Sequence, residues 1–184
     1  MMLRAVLIVL FAATVRAELV DRIAITVGRD VVTELQIDEE LRVTAFLNHQ
    51  AIIRDAEARR SAAARLIEQL LVKREMELSH YPLPQPSELD QYQQQIEDDF
   101  GDAARFSQAL NTYHLSKATL RDHLSLQLMT MRFIEFRFRP DVNSPADIEA
   151  RTDQVLDAWL DQTRKQSNIV YLDKSLAKAP VNPK

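Results

Sequence analysis

Strict alternation of apolar and polar positions is short in this chain and sits near its ends. Val20, Ile23, Ile25 and Val27 are β-branched and lead into Gly28-Arg29-Asp30, after which Val31 and Val32 resume the apolar pattern. That order predicts two short strands joined by a tight turn, with glycine where a hairpin needs a permissive backbone. Thr33 followed by Gln36 has the capping-box spacing, so a helix begins as the second strand ends. A lone hairpin is marginal in water and needs a third strand or a helical face. The chain offers such a strand only at Asn168–Asp173, around Ile169-Val170-Tyr171-Leu172. The expectation is that the two ends pair.

Between the ends the period is helical. A first helix is predicted from Thr33 to about Asn48, with Leu35, Leu41, Ala45 and Phe46 as its stripe and Asp38–Arg42 as a pair on its wet face. The strongest helix runs from Arg54 to about Ser79. Ala63, Leu66, Ile67, Leu70, Leu71 and Leu78 carry its core-facing line, and Asp55 and Arg59 sit one turn apart at its charged start. Prolines 82, 84 and 86 break it. Ser87 then caps a helix bearing Leu89, Tyr92, Ile96 and Phe100, which Gly101 stops. Asp102 starts a shorter helix with Phe106, Ala109 and Leu110, and a link at Asn111–Leu115 leads to a long one capped by Ser116 and ended by Pro140. Ser144-Pro145 opens a last helix with Ile148, Val155, Leu156, Trp159 and Leu160 on its apolar face and Asp161–Lys165 as a surface pair. From Lys174 the polar, proline-bearing tail to Lys184 is expected to be disordered. The fold class is therefore mostly α: one multi-helix domain over residues 18–173, with a small antiparallel sheet made by the N-terminal hairpin and the C-terminal strand.

Composition narrows the function. Arg4, the apolar run Ala5–Ala13 and Val15-Arg16-Ala17 read as a secretory leader cleaved after Ala17, so the mature protein is expected to be exported. The leader holds two of the 23 basic residues and none of the 27 acids, so the mature chain is more acidic than the −4 of the whole. That argues against nucleic acid or an anionic membrane as the main partner. There is no cysteine, hence no disulfide framework and no thiol nucleophile. Two glycines, Gly28 and Gly101, are too few for phosphate loops or a nucleophile elbow.

Candidate chemistry is sparse. His49, His80, His114 and His123 lack metal-ligand spacing and read as surface or partly packed residues. Glu97-Asp98-Asp99 with Asp102 lacks the alternating ligands of a calcium loop, and Glu149 with Asp153 reads as a charged helix face. No catalytic constellation, metal site or cofactor motif emerges, and the chain reads as a binding protein rather than an enzyme. The less bland segment is Met129–Arg139, where Met129, Met131, Phe133, Phe136 and Phe138 fall on more than one helical face. Such adaptable side chains suit loose contact with apolar polypeptide, and these five are the candidate peptide-binding residues. Packing within the core is the competing reading for them.

The motif Val20, Asp21, Ile23, Val27, Val32 and Thr33, followed by the Ala64–Glu75 helix and the Leu120–Arg132 helix, resembles the N-terminal chaperone domain of the SurA-type periplasmic folding factors. The resemblance covers about residues 19–139, with 144–173 similar to the closing segment of that family. It implies export to the periplasm and ATP-independent binding of unfolded or outer-membrane polypeptides there, in a groove between helices. The relatives carry parvulin-type prolyl isomerase domains between the long and the closing helix. Here only Pro140–Asn143 stands in that place, so the resemblance does not carry isomerase activity to this chain. The alternative is a non-catalytic assembly subunit of an envelope complex with one dedicated partner. Client range and a homodimer by exchange of the end strand stay open.

Overall fold

A computed structural model describes residues 21–138 and 145–177, excepting the side chains of 145–151. The leader, Pro140, Ser144, the side chain of Ile148 and the tail beyond 177 lie outside the described residues, so the expectations placed on them do too.

The two ends do pair. Strands β1 (Ile23–Val27), β2 (Asp30–Thr33) and β3 (Ile169–Tyr171) form one antiparallel sheet in the order β2-β1-β3. Ile25, Thr26 and Val27 face Tyr171, Val170 and Ile169. Two residues join β1 to β2, and Gly28 takes φ +63° there, a left-handed conformation that side chains resist. Its N–H donates to Asn168 O at 2.9 Å, tying the turn to the arriving third strand. The β1–β2 register shifts between Ile23 and Ile25. The intervening Ala24 turns its carbonyl to Leu172 N–H (2.8 Å) and Asp173 N–H (3.0 Å), so the irregularity on one side anchors β3 on the other.

Six helices surround this sheet among the described residues: α1 (Glu34–Leu47), α2 (Ala56–Leu78), α3 (Pro86–Asp99), α4 (Ala103–Thr112), α5 (Lys117–Arg137) and α6 (Pro145–Gln166). The Thr33 box is closed in both directions, Gln36 N–H to Thr33 Oγ1 at 3.2 Å and Thr33 N–H to Gln36 Oε1 at 2.9 Å. Asp55, Asp102 and Ser116 cap α2, α4 and α5. One start differs from expectation: α3 begins at Pro86 with Gln85 as its cap, not at Ser87. Proline's fixed φ suits the first helical position, which draws the start upstream.

Helices α1 to α4 share one ending. His49, His80, Gly101 and His114 each follow a helix with positive φ, at 52°, 54°, 89° and 53°. After the three histidines the next N–H closes a six-residue loop: Gln50 to Ala45 O, Tyr81 to Met76 O and Leu115 to Leu110 O, at 2.9 to 3.2 Å. This is the hydrogen-bond pattern of a Schellman ending, with histidine where glycine is usual.

The core falls into three joined parts. Ile25, Val27, Val32, Ile37, Ile67 and Leu71 seal the sheet against α1 and α2. Phe46, Phe106, Leu120 and Leu124 join α1, α4 and α5, with Phe100 stacked on Phe46 at 4.7 Å. Val72, Met76 and Phe133 form the third, under Trp159 of α6. Several expected core positions are displaced. Leu35 and Leu78 are exposed, while Ile37, Val43 and Met76 are buried in their helices. Residues 174–177 depart from the disorder expected of them. Lys174–Leu176 forms a 3-10 turn, and Leu176 is buried against the sheet core. Arg59 also departs from its expected partner: it reaches Glu34 (2.6 Å) and Asp173 (3.5 Å), while Asp55 caps its helix. Asp161 meets Arg164 at 3.9 Å rather than Lys165.

Candidate functional site

Five helices leave a cleft of about 660 Å³ open to solvent. One wall is apolar. Leu47 of α1, Val72 of α2, Ile96 of α3, Met131 of α5, and Leu156 and Leu160 of α6 supply it. The rest is polar: Glu40, Thr44, Arg65, Glu68, Gln69, Tyr92, Gln127 and Thr130. The mixture follows from helix periodicity. α1, α2 and α5 each turn their buried stripes to two of the three core parts, and residues on and beside those stripes meet here.

The polar side is held by buried charge. Glu40 lies inside α1, 5% exposed, and three neighbours serve its carboxylate. Arg65 Nε donates to Oε1 at 2.7 Å, Thr44 Oγ1 donates to Oε1 at 3.3 Å, and His123 Nε2 of α5 stands 3.4 Å from Oε2. Arg65 also donates through Nη2 to Thr44 Oγ1 at 3.2 Å. A buried carboxylate is costly unless paired and hydrogen-bonded. Burial pushes the Glu40 carboxyl up, but the contacts from His123 and Arg65 outweigh it and hold the pKa below the ordinary value. Farther along, Glu68 of α2 pairs with Arg164 of α6. There burial prevails and the Glu68 pKa is raised, Arg164 opposing it and Asp157 adding to it. Tyr92 OH donates to Gln127 Oε1 at 3.0 Å, joining α3 to α5 across the cleft, and burial raises its pKa.

The five residues expected to bind peptide do not share one surface. Met131, 49% exposed, lines the cleft. Phe133 is wholly buried, with Trp159 4.6 Å and Phe138 5.4 Å from its ring centre, so it is a core residue and not a contact surface. Met129 packs half-buried against the same core part. Phe138 lines a second, shallower hollow of about 400 Å³ with Val155 and Trp159. Phe136 is exposed and stacks on Tyr81 at 6.2 Å, where the proline segment leaves α2. With a helical repeat of 3.6 residues, positions 131, 133 and 136 cannot point one way. The sequence reading missed Glu40 and His123, since neither spacing nor motif sets a buried pair 83 positions apart. The only available signal was polar residues inside otherwise apolar stripes.

Among the described residues no group of three or more His, Asp or Glu side chains could hold a metal ion, and no helix is long and apolar enough to cross a membrane. Compared with known proteins, the chain matches no family model, and no curated protein matches it.

Proposed function

We propose that this protein is an ATP-independent chaperone that holds non-native polypeptide in the five-helix cleft. The observation carrying the reading is the cleft itself: a preformed hollow lined by apolar side chains from five helices together with hydrogen-bonding groups. A Phe-sized side chain burying ~150 Å² at ~25 cal/mol per Å² contributes about 4 kcal/mol before ordering costs. One or two such side chains give weak, sequence-tolerant binding, as a holding chaperone needs. The leader pattern and the resemblance of residues 19–139 to SurA-type N-terminal domains support a periplasmic role with unfolded outer-membrane polypeptides as clients. A non-catalytic assembly subunit is the competing function.

Aggregation assays with several unrelated denatured proteins separate the two. The chaperone protects all of them at a modest molar excess, and Met131→Glu, a change at a half-exposed position, removes most of that protection without altering the melting temperature by more than a degree or two. Phe136→Ala weakens protection only if the client path extends past the cleft mouth. Protection of no client, or full protection by Met131→Glu, sinks the reading.

A further inference from the structure

His123 lies beneath the cleft with its protons constrained by geometry. Its Nδ1 is 2.9 Å from Thr119 O. A carbonyl oxygen only accepts, so Nδ1 carries the proton. Nε2 then faces Glu40 Oε2 at 3.4 Å and has no hydrogen-bond partner. In neutral imidazole this puts a lone pair against a buried carboxylate. In imidazolium it puts an N–H there. The ring is 9% exposed, so water does not relieve the first arrangement.

We propose that His123 and Glu40 form a proton-operated clamp between α5 and α1, engaged when His123 is protonated and slack when it is neutral, and that the clamp sets the shape of the cleft. The clamp's regulatory role rests on the peptide-binding reading given above. Glu40 lines the cleft from α1, and Gln127 and Met131 line it from α5, one and two turns beyond His123. A change in how α5 is held at His123 is therefore felt at both. The charges acting on the ring are those of α1, Glu40 in contact and Glu39 farther off, with Arg65 of α2 reaching it through Glu40. The ion pairs of α3 with α5 use Lys117, Arg121 and Arg132, about 120°, 160° and 180° around the helix from His123.

Burial lowers the His123 pKa, but Glu40 and the Thr119 carbonyl outweigh it and leave it raised above 6.5. A raised histidine gives stability fully present below the unfolded value and lost as pH climbs through the folded one. The lowered Glu40 gives stability lost only as pH falls through its folded value, under 4.5. Both groups are charged between these limits, so the clamp is engaged in mild acid and releases as pH climbs through the raised His123 value. A preformed cleft binds better than a slack one, and peptide affinity falls on release.

The test uses the full chain, a fluorescent peptide rich in Phe and Leu, and amide hydrogen exchange of residues 126–131 corrected for intrinsic rate. From about pH 6 to about pH 8 the wild type loses affinity by about threefold or more, and exchange in that segment quickens by a similar factor. His123→Gln and Glu40→Gln show neither change with pH. Wild-type exchange that is flat across this range, or a slope that persists in both variants, overturns the clamp whether or not peptide binds. Exchange that follows the clamp while no peptide binds at any pH upholds the clamp itself and overturns the binding reading and, with it, the clamp's effect on affinity.

Discussion

Leu176→Ala tests whether the last turn of the chain belongs to the core. The sequence after Asp173 is polar and proline-bearing, yet Leu176 is 3% exposed and packs with Val27, Ile67 and Leu71. Its placement is built locally. Asp173 accepts from Ser175 N–H at 2.9 Å and Ser175 Oγ at 2.7 Å, which winds the 3-10 turn. The same carboxylate lies 3.5 Å from Arg59 on α2 and holds the turn to the helix. Truncating a buried leucine to alanine costs about 2.7–5 kcal/mol, more where the site cannot collapse. This site sits on a single 3-10 turn that can shift into the space left, so the lower end applies, about 3 kcal/mol.

That is a large share of the ~5–15 kcal/mol that holds a domain. At roughly 2–4 °C per kcal/mol for a chain of this size, the melting temperature falls by about 6–12 °C. Circular dichroism melts and urea titrations monitored at the helical signal measure it. Val170→Ala is the control: it lies on β3 itself but is 39% exposed, and it should cost less than about 1 kcal/mol. If Leu176→Ala melts within a degree or two of the wild type, the turn is not docked and the core described here ends at β3. If both variants fall equally, the loss belongs to strand pairing rather than to the buried leucine.

Two further predictions concern the left-handed positions. Gly28→Ala forces a Cβ into φ +63° and within 3.2 Å of Arg74 Nη1. The guanidinium can move but the backbone cannot, so about 1–2 kcal/mol of stability is lost, read as a lower urea midpoint at unchanged slope. His114→Gly removes the side-chain penalty at a helix end whose Arg42 contact uses the His114 backbone carbonyl, at 2.6 Å, and survives the change. It should add roughly 0.5–1 kcal/mol, whereas His114→Val should subtract more than that; a loss in the glycine variant would show that the histidine ring itself is stabilising.

Much of the fold was legible because local and global signals agree. Gly28, the Thr33–Gln36 box, the capping residues Asp102 and Ser116, and the apolar run at Ile169 each specify an element by short-range chemistry. The pairing of β1 with β3 followed from a single physical demand, that a two-stranded hairpin needs a third partner. What failed was finer. Leu78 and Leu35 match a helical stripe by spacing, but each lies at a helix end where neighbouring elements give no cover. Leu176 was hidden because a tail's composition says nothing about one side chain that folds back.

The cleft was less legible, and for a different reason. A pattern of apolar positions marks which residues leave water, and it is silent on which gaps remain when five stripes converge. Phe133 and Met131 are two positions apart and equally apolar, yet one fills the core under Trp159 of α6 and the other, about 160° around the helix, borders the cleft. Glu40 carries the same lesson in polar form. It sits where α1 is buried, between Ile37 and Val43, and its own helix offers it only the Thr44 hydroxyl, at 3.3 Å. Its charged partners come from α2 and α5, so the charge is tolerable only once three helices have packed. A carboxylate that is stable only in the assembled bundle makes the bundle's assembly sensitive to the protonation of its partners. That is why the most informative group in the site is His123, which no spacing rule singles out.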